Sequence, residues 1–227
     1  PFFIQLSWNA LHAPGNALKA TLAKYEKLGA GKNMERAAIT EDLDTGVGMV
    51  LKSLDDLGLS ENTYVIYMSD NGGGGGRSPL SGGKGDVYEA GIRVPFLVRG
   101  PGVKANSWCH TRVVGYDLFP TFCEWANISP KKLPKGIEGG SIVSLLANMG
   151  KGEVKRSRQE LVFHFPHYQG DAPHSALLLG DLKLLKFYED NRLALYDLSK
   201  DLREQNDLSK KMPEETARLH KRLTEYL

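Results

Sequence analysis

Apolar positions along the chain recur with two different periods, and the change between them divides it. From residue 36 to 57, Ile39, Leu43, Val47, Val50, Leu51, Leu54 and Leu57 return at three- and four-residue steps. That is the one-sided stripe of a helix of about five or six turns, and Gly58 is placed to stop it. Residues 63–69, Thr-Tyr-Val-Ile-Tyr-Met-Ser, are β-branched and aromatic with no polar face, which predicts a strand covered on both sides by helices. A helix followed by a buried strand is α/β grammar. The opening Pro1-Phe2-Phe3-Ile4-Gln5-Leu6-Ser7 reads as an apolar strand already under way, with the expectation that the chain begins inside a fold. His12-Ala13-Pro14-Gly15-Asn16 then reads as a loop. Residues 94–98 predict a short buried strand. Residues 116–126 predict a helix, with Asp117 near its start and Pro120 in the first turn, where a missing N–H does little harm.

Beyond about residue 158 the period becomes two. Residues 161–165, 175–179, 182–188 and 192–196 predict four short strands in an antiparallel meander, joined by turn residues such as Gly180-Asp181 and Asp190-Asn191. Pro213, Glu214 and Glu215 then open a closing amphipathic helix striped by Leu219, Leu223 and Leu227. Gly136, Gly139, Gly140 and the basic stretch 151–158 mark a surface connection and place a boundary between residues 1–155 and 156–227. The expected fold class is α/β: part of a large mixed sheet flanked by helices, plus a small C-terminal four-stranded antiparallel sheet with a closing helix.

Composition narrows the class. With 25% charged and 41% hydrophobic residues and a net charge of +2, disorder, collagen and coiled coil are excluded. No apolar run approaches the roughly 20 residues of a membrane span, and no basic segment leads into an apolar one. Positive and negative residues are interspersed, so no nucleic-acid groove is expected. Cys109 and Cys123 are too few for a disulfide framework and lack zinc spacing.

The candidate chemistry lies in the glycine-rich stretch after the strand at 63–69. Ser69-Asp70-Asn71-Gly72-Gly73 sets a carboxylate beside a carboxamide oxygen at a strand's C-terminal end, where ligands of α/β sheets bind and where both oxygens can converge on one hard cation. The same residues also suit an Asp-Asn-Gly turn closing a hairpin. Lys84, in Gly82-Gly83-Lys84-Gly85, is a point charge suited to a tetrahedral anion, although such a lysine taken alone is more often a solvated residue of a flexible loop. A phosphate loop is excluded, because no Ser or Thr follows Lys84. His12 follows the first strand, at the edge Asp70 and Asn71 occupy if the strands at 1–7 and 63–69 are parallel; a lone loop histidine is also commonly incidental. His164 and His167 straddle a strand end at a spacing of three that suits a metal or, without a third ligand nearby, core or rim aromatic packing, whereas His110 and His174 read as surface.

Taken in order, Ser69-Asp70-Asn71-Gly72-Gly73, Leu80-Ser81-Gly82-Gly83-Lys84-Gly85 and Tyr88-Glu89-Ala90-Gly91-Ile92-Arg93-Val94-Pro95 resemble the motif block of type I sulfatases, in the alkaline-phosphatase superfamily. The resemblance extends to Pro1-Phe2-Phe3 with His12-Ala13-Pro14, to Asp117-Leu118-Phe119-Pro120-Thr121, to the segment 164–168, and to Leu195-Tyr196-Asp197-Leu198 with Glu204-Gln205-Asn206-Asp207-Leu208. Departures are modest, with Ala90 at a usual glycine and Ser81 at a frequent arginine.

The resemblance implies a sulfuric ester hydrolase. Asp70 and Asn71 would be two ligands of Ca²⁺, Lys84 a sulfate-binding lysine, His12 the histidine that protonates the leaving alcohol, and His164 and His167 substrate-binding residues. It also implies a periplasmic or secreted protein acting on aryl or carbohydrate sulfates. Residues 1–155 would then be the C-terminal part of the catalytic domain. Two further aspartates and the C-x-P-S-R or C-x-A-x-R segment whose cysteine becomes formylglycine are absent here: Cys109 precedes His-Thr-Arg and Cys123 precedes Glu-Trp-Ala. The expectation is therefore a C-terminal half, inactive alone and weak in calcium binding. A non-catalytic module binding sulfated glycan or a partner, and a phosphoryl or phosphonate hydrolase of the same superfamily, are the alternatives.

Overall fold

The computed structural model describes residues 1–73, 79–169 and 171–227, so residues 74–76 of the glycine run lie outside the described residues. Contacts divide the chain into two units, residues 1–64 and 65–227.

In the first unit, α1 (Lys19–Lys27) packs on α2 (Met34–Asp56), the helix the apolar stripe predicts. Asp42 of α2 accepts hydrogen bonds from the Leu18 N–H at 2.7 Å and the Thr21 hydroxyl at 2.6 Å, tying the start of α1 to the middle of α2. Gly58 ends α2 at φ +66°. Its N–H bonds to the Asp55 carbonyl and the N–H of Leu59 to the Leu54 carbonyl, so the last carbonyls are satisfied by the left-handed turn a glycine allows.

The strand expected over residues 1–7 does not form. A strand exists through its ladder, and this segment belongs to neither sheet of the described residues. Phe2, Phe3, Ile4 and Leu6 are exposed. Trp8 instead lies over Gly46 of α2, where a Cβ would come within 2.9 Å of the indole.

The second unit is mixed α/β. β1 (Val65–Met68) pairs antiparallel with β2 (Phe96–Arg99), and the one-turn α3 (Glu89–Ile92) lies between them in sequence. β1 differs from expectation in its cover: Tyr67 and Met68 are exposed, as is Leu97 of β2. An apolar run specifies a strand but not the layers laid over it. After β2 comes α4 (Leu118–Trp125), opened by a single turn at Gly115–Asp117 and carrying Pro120 in its first turn. α5 (Val143–Ala147) follows. Cys123 is buried in α4, Cys109 is exposed, and neither forms a disulfide.

The period-two region folds as read. β3 (Leu161–Phe165), β4 (His174–Leu179), β5 (Leu182–Phe187) and β6 (Leu193–Asp197) form an antiparallel meander in the order β3-β4-β5-β6. α6 (Pro213–Tyr226) closes one face, with Leu219 and Leu223 packed on Leu177, Leu184 and Leu195. On the other face Ala176, Leu178, Leu185, Phe187 and Tyr196 meet Val87 and the flanking Tyr88 and Ile92. The segment leading into α3 is therefore the second cover of this sheet, which brings the glycine-rich motif against the C-terminal strands. No helix of the described residues is long and apolar enough to cross a membrane.

Candidate active site

At the end of β1 the backbone turns through Ser69 and Asp70, and the Ser69 hydroxyl donates to the Asn71 carbonyl at 3.0 Å. The Asn71 amide nitrogen donates to the Gly72 carbonyl at 2.8 Å, so the end of that side chain left by this bond is its oxygen. The Gly72 N–H donates to the Gly91 carbonyl at 2.8 Å. A Cβ on Gly72 would lie 1.8 Å from the Ala90 carbonyl oxygen, a backbone approach that only glycine permits. Asp70 is exposed and Asn71 half-buried.

The Lys84 N–H donates to the Gly73 carbonyl at 2.8 Å, and this bond joins the Asp70-Asn71 turn to the lysine loop. The lysine itself is exposed. Asp86 caps the loop, accepting the Gly83 N–H at 2.6 Å and the Tyr88 N–H at 3.0 Å; burial raises its carboxyl above the usual range. Gly85, at φ +91°, packs so closely under the segment after β3 that a Cβ would lie 2.5 Å from the Gln169 carbonyl oxygen. The chain following His164 and His167 therefore runs beside the lysine loop.

His164 is exposed on β3, and its Nδ1 meets the Ser175 hydroxyl at 2.7 Å. His167 is exposed and makes an edge contact with Phe165. His12 belongs to the first unit, is exposed, and places Nδ1 2.6 Å from the Ala13 carbonyl. The structure thus brings Asp70, Asn71, Lys84 and the 165–169 segment to one loop cluster. Among the described residues no group of three or more His, Cys, Asp or Glu side chains could hold a metal ion. Asp70 and Asn71 are hard oxygen donors that fit part of a Ca²⁺ shell, which takes 6–8 oxygens, and do not complete it.

The match to known proteins decides the family. A family model described as Sulfatase matches residues 1–128, and one described as N-sulphoglucosamine sulphohydrolase, C-terminal, matches residues 83–227. The chain belongs to the sulfatase family. It is 34% identical to a sulfatase of Formosa agariphila over 94% of its own length and 43% of that protein's. It is also 33% identical to the steryl-sulfatase of Rattus norvegicus, over 73% of this chain and 29% of that one. Among solved structures, that of Ps i-CgsB superimposes with a TM-score of 0.83 at 25% identity, over 96% of this chain and 48% of the other. The sulfatase chain spans less than half the length of these relatives.

Behind the lysine loop the sulfatase chain holds a charged cluster that sequence reasoning missed. Lys183 of β5 is fully buried, with its ammonium 3.0 Å from Glu89 and 2.7 Å from Glu204; both carboxylates are buried too. Glu204 Oε2 also accepts the Glu89 N–H at 2.7 Å. Burial raises the Glu204 carboxyl, while Lys183 and the Glu89 N–H pull the other way. One signal was present: Lys183 falls in phase with Leu185 and Phe187, on the face of β5 that packs toward Val87.

His174 is a second miss. Expected at the surface, it is fully buried, accepts the Val87 N–H on Nε2 at 3.0 Å, and stacks on Phe187 with ring centroids 5.5 Å apart. It sits at the first position of β4, where the loop cover and the sheet meet. An isolated histidine in the sequence carries no mark of that meeting.

Proposed function

We propose that this chain is the C-terminal half of a sulfuric ester hydrolase, holding part of the sulfate and calcium site, with the nucleophile on sequence outside it. The observation that carries this reading is the backbone bond between Lys84 and Gly73, which joins the loop bearing the exposed Lys84 to the turn bearing Asp70 and Asn71. Together these suit a tetrahedral anionic group approached by a cation and a hard metal ion. Ca²⁺ held by Asp70, Asn71 and carboxylates from outside this chain would supply positive charge to the sulfate oxygens, and formylglycine from the same outside sequence would supply the nucleophile.

The residues of this chain have separate tasks. Lys84 binds and neutralises a sulfate oxygen as charge builds there. His12 gives a proton to the leaving alcohol oxygen, an assignment that rests on the family motif. His164 and His167 stand on the rim that carries the alcohol part of the substrate. The overall reaction takes ROSO3⁻ and water to ROH, sulfate and a proton.

A carbohydrate sulfate is the favoured substrate class. One relative, 30% identical over 73% of this chain, is the N-acetylglucosamine-6-O-sulfatase of Bacteroides thetaiotaomicron, and a solved structure at 25% identity holds D-glucosamine-2-N,6-O-disulfate. A further relative is named an extracellular sulfatase, which supports a location outside the cytoplasm.

The intact polypeptide is expected to release sulfate from a sulfated glucosamine or an aryl sulfate, and the 227-residue chain alone to release none. Turnover by the isolated chain would overturn the divided site. Calcium gives a second test. Two donors on a glycine-flanked turn must order the loop for few contacts, so calorimetry should find a Kd for Ca²⁺ of about millimolar or weaker in the isolated chain. A micromolar affinity abolished by Asp70→Ala would mean that the site is complete here.

A further inference from the structure

We propose that Glu204, held by Lys183, is a positioning residue for the loop that carries Lys84. The proposal rests on the reading of Lys84 as the sulfate-binding cation, and it concerns residues with no access to substrate.

Lys84 is flanked by Gly82, Gly83 and Gly85, a stretch with little preference for any one conformation. A cation on such a loop binds a fixed anion well only if the ends of the loop are clamped. Residues 203 and 204 hold both ends. On the near side of Lys84, the Ser81 hydroxyl donates to the Arg203 carbonyl. On the far side, the Glu204 carboxylate accepts the Glu89 N–H, and its other oxygen pairs with Lys183, which also pairs with the Glu89 carboxylate. Arg93 completes the set with Nε 3.0 Å from Glu89. The Ala90 N–H bonds back to the Ser81 carbonyl at 2.9 Å, so the two clamped ends also hold each other. Two carboxylates and two cations cancel, and the cluster therefore acts on Lys84 through geometry rather than through net charge.

The backbone points the same way. Glu204 has φ +54°, the left-handed region that side-chain-bearing residues adopt at a cost. Among the described residues, three of the other four non-glycine residues found there are asparagines, which tolerate it well. A glycine at this position would relieve that strain. What the glutamate supplies instead is its side chain, which is buried and engaged on both oxygens.

The test compares Glu204→Gln, Glu204→Gly and Lys84→Ala in the intact polypeptide. The carboxamide of the Glu204→Gln variant can still accept the Glu89 N–H, whereas the glycine variant fits the backbone but leaves that N–H without its acceptor. Calorimetric titration with inorganic sulfate should give a Kd within about threefold of wild type for Glu204→Gln and raised by about tenfold or more for Glu204→Gly. KM for the sulfate ester should rise in parallel, with a smaller change in kcat. Hydrogen exchange followed by mass spectrometry should quicken in Glu204→Gly over residues 81–93, while β4–β6 and α6 keep their protection.

Unchanged sulfate affinity and exchange in Glu204→Gly would overturn the proposal. So would exchange that quickens equally throughout the sheet, since that marks a general loss of stability. Full turnover by Lys84→Ala together with a loosened loop in Glu204→Gly would instead sink the functional reading of Lys84 and leave the clamp standing.

Discussion

Lys84→Ala should lower kcat/KM for a sulfate ester by about 10²–10³-fold in the intact polypeptide, the scale seen when one preorganised charge-stabilising donor is removed from a site. The side chain is exposed, and the loop is fixed through its backbone bond to Gly73 and the Asp86 cap. The variant should therefore fold and melt as wild type does. Lys131→Ala, on an exposed turn, serves as the control for loss of a surface charge. Steady-state kinetics at saturating calcium checks the expectation. Retention of more than about a third of wild-type kcat/KM, well above that loss, would remove Lys84 from the sulfate site.

Asp117→Ala should produce the largest loss of stability. Asp117 is fully buried, and its two oxygens accept four hydrogen bonds: from the Val114 N–H at 2.9 Å, the Gly140 N–H at 3.0 Å, and Arg156 Nε and Nη2 at 2.9 and 2.6 Å. The Arg156 side chain is only 6% exposed, so removing its partner strands a cation in the interior. Breaking such a pair from one side costs about 3–5 kcal/mol. In a unit of this size that lowers the melting temperature by about 6–20 °C. Leucine and methionine at 117 and 156 together should recover only part of the loss, because Asp117 also satisfies two backbone N–H groups. Thermal melts by circular dichroism decide it. A shift below about 2 °C, the effect of under 1 kcal/mol, would show that the pair contributes little.

Recognition of the site depended on local signals. Ser69-Asp70-Asn71-Gly72-Gly73 and Gly82-Gly83-Lys84-Gly85 are contiguous, and the glycines that make them visible are the ones the backbone requires: Gly72 against the Ala90 carbonyl and Gly85 under Gln169. The segment at 164–168 could be flagged, but its approach to the lysine loop depends on how β3 and the 81–93 loop share one face of the sheet. His174 had no local signal, because its neighbours in sequence form none of its environment except Ala172; Val87 and Phe187 do.

The sequence by itself determined the elements. Period-3.6 spacing set α2 and α6, period two set the four-strand meander, and glycine at 58 set where α2 ends, since each depends only on residues within a few positions of one another. Tertiary structure alone decided which elements gain a partner. The apolar segment 1–7 joins neither sheet of the described residues, β1 is left exposed at Tyr67 and Met68, and Lys183 is buried between Glu89 and Glu204. Glu89 lies 94 residues from Lys183 and 115 from Glu204, and no local period carries information over such separations. A lysine in phase with leucines is costly unless the fold delivers carboxylates to it, and only the packing of the loop on the sheet does so.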